Sequence, residues 1–124
     1  MSAEDNKQAA MDGYAAFSKG DAEAAMAQIS DSIQWVVGGD SSVTGTYTGK
    51  QELGGFWAQI GAKGLQVAPS VFVAEGDTVM VRTTNSIGGE QAESVDVLTY
   101  DGDGQLAKFE TFGGEDLLNR AFPK

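Results

Sequence analysis

Hydrophobic positions follow a helical spacing in the first part of the chain. Ala10, Tyr14 and Phe17 fall at i, i+4 and i+7, which predicts a first helix over about residues 4–19. Gly20 can adopt the left-handed conformation that ends a helix, and Asp21 is a good N-cap for a second one. The apolar stripe of that second helix would consist of Ala22, Ala25, Met26 and Ile29. The pattern predicts a helical hairpin that packs against another layer.

The next segment combines short strands with a third helix. Alternating β-branched residues predict a strand at 33–37, and a Gly/Ser-rich break separates it from a short strand at 43–47. Thr48 and Gln51 fit a capping box, which predicts that a helix begins there. Its apolar face would consist of Leu53, Phe56, Trp57 and Ile60.

The second half of the chain has the alternation of β-strands. Strand-like runs at 65–74, 78–87, 92–100 and 106–112 are joined by short Gly- and Asp-rich turns, which predicts an antiparallel meander. A short helix is expected at 115–122. Helices followed by an antiparallel sheet predict an α+β fold with the helices on one face of the sheet. At this length, residues 1–124 are expected to form a single domain.

Asp96 lies in a strand whose other residues have the pattern of a buried strand. Strand alternation places Asp96 on one face with Ser94, Leu98 and Tyr100, and Val95 and Val97 on the other. A carboxyl group on an apolar wall is costly unless it is paired, hydrogen-bonded or protonated. The pattern therefore predicts a polar spot inside an apolar cavity.

Composition removes several classes of function. The net charge is −10, which disfavours binding to nucleic acid or to an anionic membrane surface. The chain has no Cys and no His, so thiolate chemistry, Ser-His-Asp triads and His-ligated zinc are excluded. The 101–104 turn (DGDG) lacks most of a calcium loop, and no glycine pattern fits a nucleotide loop, so no metal site and no cofactor is predicted. Neither a signal peptide nor a 20-residue apolar span is present, which favours a soluble, cytoplasmic protein.

Several local motifs resemble the NTF2-like superfamily, in its SnoaL-like and ketosteroid-isomerase-like branch. They are YAAFSKGD at 14–21, SDSIQW at 30–35, GTYTG at 45–49, VDV at 95–97 and GQLAKF at 104–109. The resemblance implies a cone in which a curved antiparallel or mixed sheet wraps around the N-terminal helices and encloses a central apolar pocket. It also implies which residues line that pocket: Tyr14, Phe17, Trp35, Phe56, Trp57, Thr83, Asp96, Leu98, Phe109 and Thr111.

The same resemblance bears on chemistry. Tyr14 and Asp96 match the two oxyanion-hole donors of ketosteroid isomerases, in which a protonated Asp and a Tyr stabilise an enolate. The base of those enzymes falls at Val37, and the acid of cyclase-type relatives falls at Thr111. Asp40 is the remaining candidate base, provided that its loop folds inward.

Each of these signals has a structural alternative. Asp96 can be held by a nearby hydroxyl, Tyr14 can be core, Asp40 can stabilise its own turn, and the aromatic residues can be ordinary core. Three functions therefore remain open: an isomerase or cyclase acting on an apolar carbonyl compound, a non-catalytic ligand-binding domain, and an interaction module. Val95 and Val97 suggest a homodimer through the convex sheet face, although exposed valines on a β-surface are as good an explanation.

Overall fold

The computed structural model describes residues 2–124 and shows four helices and one six-stranded sheet in that range. The helices are α1 (Ala3–Ser18), α2 (Ala22–Met26), α3 (Gly49–Ala62) and α4 (Glu115–Ala121). The strands are β1 (Ile29–Val37), β2 (Gly45–Thr48), β3 (Gln66–Glu75), β4 (Thr78–Ile87), β5 (Glu90–Tyr100) and β6 (Leu106–Phe112). The predicted α+β class and the order of elements are confirmed.

The sheet has the strand order β2-β1-β6-β5-β4-β3. Strands β3 to β6 form the predicted antiparallel meander, and β1 joins β6 in parallel, so the sheet is mixed. Pairing shifts register between Pro69 and Val71 and again between Thr99 and Tyr100. Such irregularities bend strands. The sheet curves around the helices as an unclosed cone.

Capping interactions set where the first two helices begin and end. Ser2 and Asp5 form a reciprocal capping box at the start of α1. Gly20 is left-handed (φ 76°), and the Asp21 carboxylate accepts from the N–H of Ala24, as predicted. The predicted length of α2 is wrong, because the helix ends at Met26. Ile29 instead begins β1, where it pairs with Leu106.

The start of α3 differs from the prediction in its chemistry. Thr48 is the N-cap residue, but its side chain caps no backbone group, and Gln51 does not complete a capping box. The carboxylate of Glu52 instead accepts from the N–H of Thr48 at 2.9 Å. Glu52, one residue beyond Gln51, therefore makes the hydrogen bond to the N-cap N–H that Gln51 was expected to make, and the other half of the predicted capping box does not form.

The two faces of the sheet differ as the alternation predicts. Leu98 and Tyr100 are buried with Asp96 on the concave face, and Val95 is exposed on the convex face. Helices α1 and α3 lie on the concave side, where the apolar core is continuous. Within residues 2–124, no helix is both long enough and apolar enough to cross a bilayer.

Candidate functional site

A cavity of about 330 Å³ lies between the concave face of the sheet and the helices. Its wall is mostly apolar, which suits a ligand with an apolar body and few polar groups. Of the side chains that the sequence placed here, nine line it: Tyr14, Phe17, Trp35, Phe56, Trp57, Asp96, Leu98, Phe109 and Thr111.

Three polar side chains meet on the wall of this cavity. Tyr14 comes from α1, Asp96 from β5, and Thr111 from the position on β6 that pairs with Asp96. The Tyr14 hydroxyl donates to Oδ2 of Asp96, and the Thr111 hydroxyl donates to Oδ1 at 2.9 Å. Asp96 is only 4% exposed. Both carboxyl oxygens thus have a partner, and each retains capacity to meet a ligand.

Burial dominates the acid–base properties of this cluster. Desolvation raises the pKa of Asp96 to about 6, while the hydrogen bonds from Tyr14 and Thr111 act to lower it. Burial also raises the pKa of Tyr14, and the charge of Asp96 adds to that rise. A pKa of about 6 leaves Asp96 mostly ionised at pH 7. The sequence-based expectation of a protonated donor therefore applies below about pH 6 and not at neutral pH.

Aromatic rings form the wall beside the polar cluster. Trp35 on β1 stacks on Phe109 of β6, with ring centroids 3.6 Å apart. Trp57 on α3 meets Trp35 edge-on at 5.7 Å and Phe17 of α1 at 5.2 Å. These contacts join helices and sheet around the cavity, and they place both tryptophans on its wall.

Thr83 does not line the cavity, although the sequence placed it there. It is fully buried, and its hydroxyl shares a 2.8 Å hydrogen bond with that of Ser94. The residue that reaches the cavity from this strand is Asn85, two positions further on. Alternation puts both residues on the concave face, so sequence alone did not distinguish the one behind the wall from the one on it.

Asp40 is not a cavity residue either. Its loop folds outward, its side chain is 76% exposed, and its carboxylate pairs with Lys124 at the surface. The N–H of Asp40 donates to the side chain of Asn119 on α4 at 2.8 Å. Asn119 of α4 thus holds the loop in this position, and Asp40 cannot act on a ligand in the cavity.

Glu115 is a cavity carboxylate that the sequence analysis did not identify as a candidate base. It lines the cavity at the start of α4, and its Oε1 accepts from the N–H of Gly113 at 3.1 Å. A Cβ added at Gly38, next to Val37, would lie 3.9 Å from that same oxygen. Glu115 therefore brings a carboxylate close to the strand end where the isomerase base was expected. The sequence carries no signal for this, because the approach depends on how α4 packs against a distant loop.

Asp12 of α1 is the third carboxylate on the wall. It accepts a hydrogen bond from the side chain of Gln8 at 2.9 Å and lies on an exposed turn of the helix. Within residues 2–124, no group of three or more acidic side chains could hold a metal ion.

The chain is similar to one known family. A protein-family model described as a SnoaL-like domain matches residues 11–109. No curated protein is significantly similar in sequence to the chain.

Solved structures of the same architecture are numerous, and three illustrate the likeness. Bal32a, from a soil-derived mobile gene cassette, has a TM-score of 0.87 at 19% identity, with 98% of each chain covered. An NTF2-like protein from Burkholderia xenovorans has a TM-score of 0.80 at 23% identity, again with 98% of each chain covered. TerC, co-crystallised with polyporic acid, has a TM-score of 0.81 at 23% identity, with 93% of this chain and 98% of TerC covered. At these identities the likeness shows the fold alone.

Proposed function

This chain belongs to the SnoaL-like domain family, and from that premise we propose that it binds a small apolar molecule bearing a carbonyl group. One observation carries the proposal: the Tyr14–Asp96–Thr111 cluster lies on the wall of an apolar cavity of about 330 Å³. Neighbours of the same fold include TerC, which was co-crystallised with polyporic acid, and this supports a small-molecule role.

The chemistry of the cluster indicates how the ligand is held. Below about pH 6 a protonated Asp96 has a proton to donate to a carbonyl oxygen, and the hydroxyl of Tyr14 turns its proton from Oδ2 of Asp96 to the same carbonyl oxygen. An apolar wall strengthens such hydrogen bonds because little water competes. A ketone should therefore bind more tightly as pH falls through 6, whereas a hydrocarbon of the same shape should not.

The test is a binding titration followed by the fluorescence of Trp35 and Trp57, both on the cavity wall. The probes are 2-tetralone and tetralin, which differ in one carbonyl group. We expect 2-tetralone to bind more tightly than tetralin, most clearly near pH 5. Equal affinities at every pH would overturn the proposal.

Variants with matched controls sharpen this test. Tyr14→Phe and Asp96→Leu should each remove most of the preference for the ketone. Tyr47→Phe and Asp40→Asn should preserve it, because neither residue lines the cavity. Asp96→Asn should bind the ketone with little pH dependence, since an amide donates at any pH.

A catalytic version of the same site is a second candidate, and Glu115 is the observation that favours it. In an isomerase or cyclase, Glu115 would take a proton from the carbon next to the carbonyl while the electron pair moves to the oxygen held by Tyr14 and Asp96. Incubation of 2-tetralone in D₂O tests this by NMR. Deuterium uptake that the wild type accelerates and Glu115→Gln does not would support catalysis. Uptake at the rate seen without protein would contradict catalysis and leave only the binding function.

We also propose that the protein forms a homodimer through the convex face of the sheet. Large apolar side chains are exposed there on four adjacent strands: Val71, Val73, Met80, Val95 and Phe112. Met80 pairs with Val73 on one side and with Val97 on the other. Val97 lies two residues from Val95 on the same face of β5, and Val95 pairs with Phe112, so the patch is continuous. Contiguous apolar patches of this kind mark interfaces.

Light scattering after size-exclusion chromatography tests the dimer. Met80→Glu should shift the protein to the mass of one chain. Met11→Glu is the matched control, because Met11 is similarly exposed (42%) but lies on α1. A wild-type protein with the mass of one chain at micromolar concentration would contradict the proposal.

A further inference from the structure

A second polar group reaches the cavity at a distance from Asp96. It is the side-chain amide of Asn85 on β4, which lines the cavity wall. Nδ2 of Asn85 donates to Oγ of Ser94 at 2.8 Å and approaches Oγ1 of Thr83 at 3.4 Å. Those two hydroxyls are buried and share a hydrogen bond of 2.8 Å. The amide is therefore held by two hydroxyls from behind the wall.

Both of these contacts use the nitrogen of the amide. Within residues 2–124, Oδ1 of Asn85 makes no hydrogen bond to another side chain or to the backbone. Asn85 is half-buried and its Oδ1 is accessible, so a donor group that enters the cavity can replace water at this oxygen. The arrangement therefore leaves Oδ1 able to accept a hydrogen bond from a ligand in the cavity.

We propose that Oδ1 of Asn85 is a second anchor, which accepts a hydrogen bond from a hydroxyl or amino group of the ligand. The inference rests on the proposed binding function and makes its ligand bifunctional, with a carbonyl at Asp96 and a donor at Asn85. Ser94, which holds the amide, lies two residues from Asp96 on the same face of β5, or about 7 Å along the strand, and Ala92, which pairs with Asn85, lies four residues from Asp96, or about 14 Å. The two polar groups of the ligand thus sit at opposite ends of a body of roughly two fused rings.

Calorimetric titration of the full chain with three ketones near pH 5 tests the second anchor. The probes are 2-tetralone, 6-hydroxy-2-tetralone and 6-methoxy-2-tetralone. At the 6-position they carry a hydrogen atom, a hydroxyl group that can donate a hydrogen bond, and a methoxy group that can only accept one. We expect the hydroxy compound to bind about fivefold more tightly than 2-tetralone, as one added neutral hydrogen bond allows. The methoxy compound should gain nothing.

Asn85→Leu should abolish the advantage of the hydroxyl, so that 2-tetralone and 6-hydroxy-2-tetralone bind this variant with equal affinity. Asn119→Leu is the matched control, since Asn119 is on α4 and does not line the cavity, and it should keep the advantage. Ser94→Ala tests the positioning role: it frees the amide to rotate, so the difference between the hydroxy and methoxy compounds should shrink. Thermal melts establish that each variant is folded, and the three-ketone comparison on the wild type decides the matter even if Asn85→Leu does not fold.

The outcomes separate this inference from the function on which it rests. Equal affinities for 2-tetralone and its 6-hydroxy derivative overturn the second anchor alone. A larger gain from methoxy than from hydroxyl also overturns it, since the amide would then present its nitrogen. Failure of all three ketones to bind overturns the proposed function, and the anchor with it.

Discussion

Asp96→Asn should stabilise the protein at neutral pH and have little effect in acid. The pKa of Asp96 rises from 3.8 to about 6 on folding because the carboxyl group is desolvated. Between those two values the native protein binds more protons at Asp96 than the unfolded chain does. The free energy of unfolding therefore falls as pH rises through this window, and the loss is complete above about pH 6.

The size of the effect follows from the shift. A rise of roughly two pKa units, at about 1.4 kcal/mol each, corresponds to about 3 kcal/mol. An amide has nearly the shape of the protonated acid and carries no charge at any pH. Asp96→Asn should therefore match the wild type near pH 4 and exceed it by up to about 3 kcal/mol at pH 7.5.

Urea unfolding between pH 4 and pH 8 at one protein concentration measures this difference. Asp103→Asn, in the exposed turn between β5 and β6, controls for the general effect of removing a carboxylate and should change stability little at any pH. A difference between Asp96→Asn and the wild type that does not vary with pH would refute the reasoning. An Asn variant less stable than the wild type at pH 7.5 would also refute it. Such a result would mean that burying the ionised Asp96 does not destabilise the wild type.

Three further predictions rest on single contacts. Tyr14→Phe removes a hydrogen bond that lowers the pKa of Asp96, so a ¹³C NMR titration of the Asp96 carboxyl carbon should give a midpoint above 6; an unchanged midpoint would contradict the contact. Gly39→Ala should lower the free energy of unfolding by more than about 1 kcal/mol, because Gly39 has a φ of 94° and an added Cβ would lie 2.9 Å from the Asn119 side chain. Gly13→Ala is the control and should not lower it, because a Cβ at Gly13 would meet no other atom within 4 Å. Asn6 is 1% exposed, and within residues 2–124 neither polar atom of its amide has a hydrogen-bond partner. Asn6→Leu should therefore raise the melting temperature, and a lower melting temperature would contradict this explanation.

Local pattern was enough for most of the secondary structure. The bounds of β4 and β6 agree with the predicted runs, and the left-handed Gly20 and the Asp21 cap follow from residue chemistry within one turn. Where the prediction failed, as at the end of α2, a strand partner distant in sequence decided the outcome, because Ile29 pairs with Leu106. Helical spacing contains no information about such a partner.

The sequence by itself determined that Asp96 faces inward from a buried strand, because alternation is a property of the strand alone. The resemblance to a known family added Tyr14 as its partner, and the structure brings the two together. Only the tertiary structure decided which of the remaining polar residues share the cavity. Asp40 faces solvent and Thr83 lies behind the wall, while Glu115 and Asn85 reach the cavity. These positions depend on how α4, the Gly38–Gly39 loop and the sheet pack together, and packing between segments far apart in sequence leaves no periodic trace in either segment.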